Sequence, residues 1–210
     1  MFNLFNDSGV LVMDANDSQL ALAGPFIINL TSTTTVYNCG VSFDSFIGLG
    51  NTNGAYVRVV HDKSTGNITV SSDRTGVSVT VYLFVNLKNI TQTGNPGLNI
   101  FDAEGKLLFD ATIKVGRVSS KNSSQLTPSQ SIPNNAVPVL CFPELFRIMR
   151  AVPQGTGMFI FYFGLPYYSS NNTTLLMKHV TVGSAPLPVA NYPTQPDYAT
   201  MNVPILFLKI

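Results

Sequence analysis

The chain has 210 residues and a mass of 22.7 kDa, which fits one large β domain or two domains of about 100 residues. Its apolar content of 45% is sufficient for a buried core, but only 11% of the residues are charged and the net charge is +1. This balance argues against a nucleic-acid-binding protein, which needs a basic surface, and against an acidic, disordered chain. Because a net charge near zero promotes association, we expect a protein that stays in contact with other molecules.

The N-terminal sequence has no basic segment followed by an apolar stretch and so does not predict a signal peptide. The longest apolar runs, 77–85 and 158–165, have the length of strands and are far shorter than the roughly 20 residues that span a bilayer. We therefore expect no membrane insertion. The two cysteines, Cys39 and Cys141, lack the spacing of a metal site and are either two buried thiols or a disulfide.

The residue composition predicts an all-β fold. Thr, Val, Phe, Tyr, Asn and Gly are abundant, whereas Glu occurs only twice. Apolar residues alternate with polar ones along 67–72 and 76–85, as expected for strands with one buried face. Short turn segments rich in Asn, Asp, Ser and Gly separate such runs, which is typical of a β-sandwich or a β-barrel.

An internal repeat relates the two halves of the chain. Segment 2–17 reads FNLFNDSGVLVMDAND and segment 98–113 reads LNIFDAEGKLLFDATI. Each copy predicts a β-hairpin, in which an aromatic strand enters a turn, Gly provides a positive φ, and Asp ends the second strand. Six positions are identical in the two copies: Asn3/Asn99, Phe5/Phe101, Gly9/Gly105, Leu11/Leu107, Asp14/Asp110 and Ala15/Ala111.

We therefore predict two tandem, internally repeated β-sandwich-like domains, 1–95 and 96–210, divided in the loop 91–97. The second copy is predicted to carry two longer loops, 119–138 and 183–196, which either fold back on the domain or contact a partner. The same comparison makes Leu145 to Val152 a strand and the counterpart of Phe43 to Gly48.

The sequence contains no motif that predicts catalysis, a cofactor or a metal site. It lacks a nucleophile elbow, a Walker A loop and a dinucleotide-binding fingerprint. The two histidines, His61 and His179, follow apolar strands without a nearby ligand set, and we interpret them as surface or strand-edge residues. We expect a protein that is not an enzyme.

Aromatic residues concentrate in the second half. The run Phe159 to Phe163 is apolar on both faces, which fits an ordinary core, a subunit interface or a ligand-contact surface. Tyrosine combines an apolar ring with a polar hydroxyl and suits a contact surface that is partly wet. Four tyrosines, which we place in loops, are the candidate partner-contact residues: Tyr167, Tyr168, Tyr192 and Tyr198.

The N-terminal hairpin motif, Phe5-Asn6-Asp7-Ser8-Gly9 followed by an apolar strand and Asp14, resembles the opening of small tail-tip or baseplate-associated proteins of tailed bacteriophages. The resemblance implies a structural protein of the virion, made in the host cytoplasm and located in the tail tip or fibre. It implies other tail proteins as partners, a homo-oligomer for which we expect a trimer, and a role in host attachment. The alternatives are a receptor- or glycan-binding module and a capsid decoration protein.

Overall fold

The computed structural model describes residues 3–5, 11–14, 19–90, 98–110, 112–122, 129–140, 148–153, 158–188 and 205–209. These residues form antiparallel sheets with one short 3₁₀ helix at Leu87–Asn89, which confirms the predicted all-β fold. The strands are β1 (Asn3–Phe5), β2 (Leu11–Asp14), β3 (Leu20–Leu22), β4 (Phe26–Asn29), β5 (Thr34–Asn38), β6 (Ser45–Leu49), β7 (Val57–Asp62), β8 (Asn67–Ser72), β9 (Ser78–Asn86), β10 (Asn99–Phe101), β11 (Leu107–Asp110), β12 (Arg117–Asn122), β13 (Ser129–Ser131), β14 (Ala136–Leu140), β15 (Ile148–Pro153), β16 (Met158–Ser170), β17 (Thr174–Pro188) and β18 (Ile205–Lys209).

Two seven-stranded sheets form the sandwich, and each contains strands from both halves of the chain. Sheet I has the order β12-β18-β14-β6-β9-β3, with β4 also paired to β9. Sheet II has the order β13-β17-β16-β7-β8-β5, with β15 also paired to β16. The sheets are continuous through the pairs β6–β14 and β7–β16, so the segments 1–95 and 96–210 do not form two separate sandwiches.

The two sequence-repeat hairpins nevertheless match in detail. Asn3 lies opposite Asp14 in β1–β2, as Asn99 lies opposite Asp110 in β10–β11, and both ladders have a register shift at the same place. Gly105, in the turn of the second hairpin, has the positive φ of 78° that the sequence predicted for this position.

The register of the central strands gives the relation between the halves. Ser45 to Leu49 pair with β9 as Ala136 to Leu140 pair with β18, so these two strands are counterparts. Gly48 is the counterpart of Val139, and the two residues lie directly opposite each other where β6 meets β14.

The two outer strands of sheet I, β3 and β12, are also linked to each other. Residues 114–116, which lead directly into β12, run antiparallel to β3. Leu22 N–H donates to the carbonyl of Lys114 at 2.9 Å, and Gly116 N–H donates to the carbonyl of Leu20 at 2.8 Å. Through these bonds the segment between β11 and β12 links β3 and β12, the two outer strands of sheet I, so that the strands form a closed ring.

Sheet I packs an apolar core on each of its two faces. The larger core lies between the sheets and includes Ile47, Val81 and Leu83 of sheet I and Val59 and Val70 of sheet II. The smaller core lies on the opposite face of sheet I, inside the ring, because side chains alternate between the two faces of a strand. Its members are Phe84, Val137, Val139 and Leu208, with Leu20, Leu22, Tyr82 and Leu206 packed against them.

Three sequence-based assignments in the second half are wrong. Ile148–Pro153 is a strand, in agreement with the strand predicted at 145–152, but it pairs with β16 in sheet II and is not the counterpart of β6; Ala136–Leu140, which pairs with β18 as β6 pairs with β9, takes that place. The predicted loop 119–138 contains β13 and parts of β12 and β14, and the predicted loop 183–196 begins as the end of β17. Polar and proline-rich composition suggested loops here, but Pro138, Pro186 and Pro188 lie within paired strands.

Candidate functional site

An apolar groove of about 650 Å³ lies at one open end of the sandwich in the first half. Its walls come from the β3–β4 link, the β5–β6 loop, the end of the 3₁₀ helix and the turn that follows β11. Phe26, Val41, Phe43, Ile90 and Ile113 are among the apolar residues that line it. Strand residues of β3, β4 and β9 and loop residues from both halves of the chain together form this apolar depression.

The turn after β11 is held by the aspartate that ends the repeat motif. Asp110 is buried, and its Oδ1 accepts hydrogen bonds from the backbone N–H of Thr112 at 2.7 Å and from the Thr112 hydroxyl at 2.6 Å. Ile113 N–H donates to the Asp110 carbonyl at 3.2 Å. These bonds fix the turn that places Ile113 and Lys114 in the groove wall.

Below the groove, hairpin β10–β11 is anchored to the first half. Leu107 packs with Ala21 and Leu87 in a small apolar cluster. Lys88 Nζ lies 3.6 Å from Asp102 Oδ2, whose side chain is only 9% exposed. The hairpin of the second repeat is thus part of the surface that supports the groove.

Strands β4 and β5, near the groove, also carry exposed apolar side chains. The ring of Phe26, which lines the groove, contacts the ring of Tyr37 with centroids 5.9 Å apart. Ile27 is 66% exposed and Val36 is 60% exposed. We refer to Ile27, Val36 and Tyr37 as the β4–β5 edge.

A second, polar depression of about 400 Å³ surrounds His61. His61 Nε2 bonds the carbonyl of Val41 at 2.8 Å and must donate to it, which leaves Nδ1 to accept from the hydroxyl of Ser45 at 2.8 Å. Both ring nitrogens thus tie β7 to the β5–β6 loop and to β6. On the rim, Lys63 Nζ contacts Asp44 Oδ1 at 2.6 Å, with both side chains largely exposed.

The predicted partner-contact tyrosines are distributed between the core and the surface. Tyr168 is 2% exposed and belongs to the main core, so an outward-facing role is wrong for this residue. Its neighbour Tyr167 is half-buried and faces the outer side of sheet II, because alternate residues of a strand face opposite sides. Tyr192 and Tyr198 lie outside the described residues.

Other residues singled out in the sequence can be placed only in part. Cys39 is half-buried, and its thiol donates to the carbonyl of Gly66 at 3.1 Å, whereas Cys141 lies outside the described residues. His179 lies in β17. In the part of the chain that the structure describes, no group of three His, Cys, Asp or Glu side chains is arranged to hold a metal ion.

Sequence reasoning missed the β4–β5 edge. The signal was present in TTVYN, where strict alternation places Val36 on the same side as Thr34 and Asn38, which are polar.

No family model, curated protein or solved structure matches this chain. Within the described residues, no helix has the length and apolar character needed to cross a membrane. The surfaces of the molecule are therefore the basis for a functional proposal.

Proposed function

We propose that this protein is a non-enzymatic structural component of a tailed-bacteriophage virion, in the tail tip or fibre, and that it works by packing against other proteins of the particle. The phage assignment comes from the resemblance of the N-terminal hairpin motif. The observation that supports an assembly role is the apolar groove, with the exposed Phe43 on its wall and the adjoining Phe26–Tyr37 ring pair.

The groove brings several apolar side chains together, which distinguishes it from single exposed apolar residues. Single exposed apolar side chains are normal, whereas contiguous ones mark interaction sites. Phe43, at the groove, is 42% exposed, and Phe26 joins the groove to Tyr37 of the edge. In a chain with only 11% charged residues, such a surface is suited to burial against a partner.

The experiment is to label purified phage particles with an antibody against this protein and to locate it by electron microscopy. We expect label at the tail, and particles that form with a Phe43→Asp variant should contain less of the protein. Leu98→Asp is the matched control, because Leu98 is also exposed, at 65%, but lies outside the groove. Absence of the protein from purified particles would overturn the proposal, and label on the head would favour a capsid decoration protein.

A receptor- or glycan-binding module is the second candidate, and one observation favours it. Tyr167 faces the outer side of sheet II next to Arg58, since the adjoining residues Tyr168 and Val57 are paired. Arg58 Nε is shielded from solvent and has no hydrogen-bond partner among the described residues. A tyrosine ring beside a guanidinium group can stack on and hydrogen-bond a sugar. This candidate predicts that Tyr167→Ala lowers binding to host cells without changing the amount of protein in the particle.

A further inference from the structure

Strand β5 forms one edge of sheet II and is open to solvent. It pairs with β8 on one side, and four of its five residues are exposed. Val36, at its centre, is 60% exposed. An exposed edge of this kind is a template for another strand, because outward N–H and carbonyl groups can pair with it. Of these groups on β5, the Thr34 carbonyl already accepts a hydrogen bond from the Ser32 hydroxyl at 2.5 Å and would accept a second one.

The hydrogen bonds at the two ends of the β5–β8 ladder show which backbone groups face outward. Cys39 N–H donates to the carbonyl of Gly66, and Ser72 N–H donates to the carbonyl of Thr33. In an antiparallel ladder, residues that bond the neighbour alternate with residues whose N–H and carbonyl point away. Thr34, Val36 and Asn38 therefore direct their backbone groups to the free edge.

Strand β5 also lacks the features that prevent edge pairing. Its sequence, TTVYN, contains no charged residue and no proline, both of which block the approach of another strand. The corresponding edge of the second half, β13, has only three residues, and their sequence is SQS. The two edges of sheet II thus differ, and the long edge with an apolar centre is β5.

We propose that β5 pairs antiparallel with β5 of a second copy of this chain, around a two-fold axis at Val36. In this register Val36 lies opposite Val36 of the other copy, and Thr34 lies opposite its Asn38. All outward backbone groups of these residues then gain partners. The inference rests on the proposed assembly function and names one of its contacts.

The chemistry of the β5 edge favours a second copy of this chain as the partner. A two-fold contact places each patch against itself, so a charged edge would meet its own charge. The β5 edge contains no charged residue. In the proposed register the apolar Val36 lies opposite Val36, and the polar Thr34 lies opposite the polar Asn38. The chain already uses an antiparallel contact of this type internally, where Gly48 meets its counterpart Val139. The inferred contact is two-fold, in contrast to the trimer expected from the sequence.

The test is sedimentation velocity on Val36→Lys and Val36→Asp, each alone and mixed in equal amounts. The wild type should form a dimer that dissociates on dilution, and each variant alone should associate at least about tenfold more weakly because like charges meet at the axis. The mixture should restore the dimer, and high salt should weaken it. Leu98→Lys, at a site that is 65% exposed, should associate like the wild type.

Unchanged association of both Val36 variants, a monomeric wild type at all concentrations, or a mixture that stays monomeric would overturn the inference. Circular dichroism and thermal unfolding control for folding, which should persist because the Val36 side chain is exposed and its backbone groups point away from β8. Labelling of phage particles is a separate readout. A protein present in particles but unaffected by the Val36 substitutions would refute this contact and leave the assembly function standing.

Discussion

Thr52 and Ser170 are 118 residues apart in the chain and hold each other by hydrogen bonds in both directions. Thr52 N–H donates to the carbonyl of Ser170 at 2.9 Å, and Ser170 N–H donates to Thr52 Oγ1 at 3.1 Å. The Thr52 and Ser169 hydroxyls also bond each other at 3.1 Å. Thr52 follows β6 in the first half and Ser170 ends β16 in the second, so this buried polar junction joins the two halves.

Replacing Thr52 by Val should lower the free energy of unfolding by about 1–3 kcal/mol. The substitution keeps the shape of the side chain but leaves the buried Ser170 N–H without its acceptor. Urea unfolding followed by circular dichroism measures the change. Thr65→Val is the matched control, because the Thr65 hydroxyl bonds the exposed carboxylate of Asp62, and its effect should stay below about 0.5 kcal/mol. If Thr52→Val lowers the free energy of unfolding no more than Thr65→Val does, the junction does not add to stability.

Gly48→Ala should destabilise the protein by about 1–3 kcal/mol through overpacking of the ring core. A Cβ at Gly48 would lie 2.9 Å from Phe84 Cε2 and 2.9 Å from Val137 Cγ1, and both of these side chains are buried. Gly116, where the ring closes, is similarly close to Phe84 and Leu208. The two glycines thus leave room for the Phe84 ring on the face that the closed sheet covers.

A double-mutant cycle tests this mechanism. Phe84→Leu removes one of the two atoms nearest the new methyl group, so Gly48→Ala should cost less in that background than in the wild type. Thermal or urea unfolding of the four proteins gives the coupling free energy. Strict additivity would mean that the loss does not come from contact with Phe84.

The sequence was sufficient to predict the class of fold and the two hairpins. Alternation, turn residues and the Gly–Asp spacing are local signals, and the matching pairs Asn3–Asp14 and Asn99–Asp110 arise from local signals of this kind. Asp110 shows why the motif ends in aspartate, since its carboxylate caps the following turn.

The pairing between strands of the two halves could not be predicted in this way. Alternation sets which residues form strands, but it does not set which distant strand lies next to them, as for Gly48 and Val139. The same difficulty affected the candidate site. We predicted Tyr167 and Tyr168 in a loop, but both belong to β16, and the alternation along this strand turns Tyr168 inward.

Asp73→Asn should make the protein less sensitive to acid. Burial alone raises the pKa of Asp73, but hydrogen bonds from Lys178 and from Tyr56 N–H, together with the positive charges of Lys178 and Arg74, lower it below its ordinary value. The unfolded chain therefore takes up a proton first as the pH falls. The stabilisation is present above about pH 4 and is lost as the pH drops through the lower pKa of the folded state.

Because Lys178 comes from the second half, its ion pair with Asp73 is another contact between the halves. The ammonium group also lies 4.3 Å from the centre of the Tyr56 ring. At pH 7 we expect Asp73→Asn to cost only about 0.5–1 kcal/mol, since both partners are partly exposed. Urea unfolding at pH 7 and pH 3 measures the difference, with the exposed Asp44→Asn as control. An unchanged acid dependence would contradict the assignment.

Tyr168→Phe should leave stability at neutral pH unchanged or raise it by up to about 1 kcal/mol. The Tyr168 hydroxyl is buried in the main core and has no hydrogen-bond partner among the described residues, so its removal eliminates an unpaired polar group. At high pH the difference should grow. Burial raises the pKa of Tyr168 to about 12, so the unfolded chain loses this proton first and the wild type becomes less stable as the pH rises above about 10. Urea unfolding between pH 7 and pH 11 measures both effects, and Tyr167→Phe on the outer face of the same strand is the control. A loss of stability in Tyr168→Phe at neutral pH would show that the hydroxyl has a partner, such as a buried water molecule, and would refute the prediction.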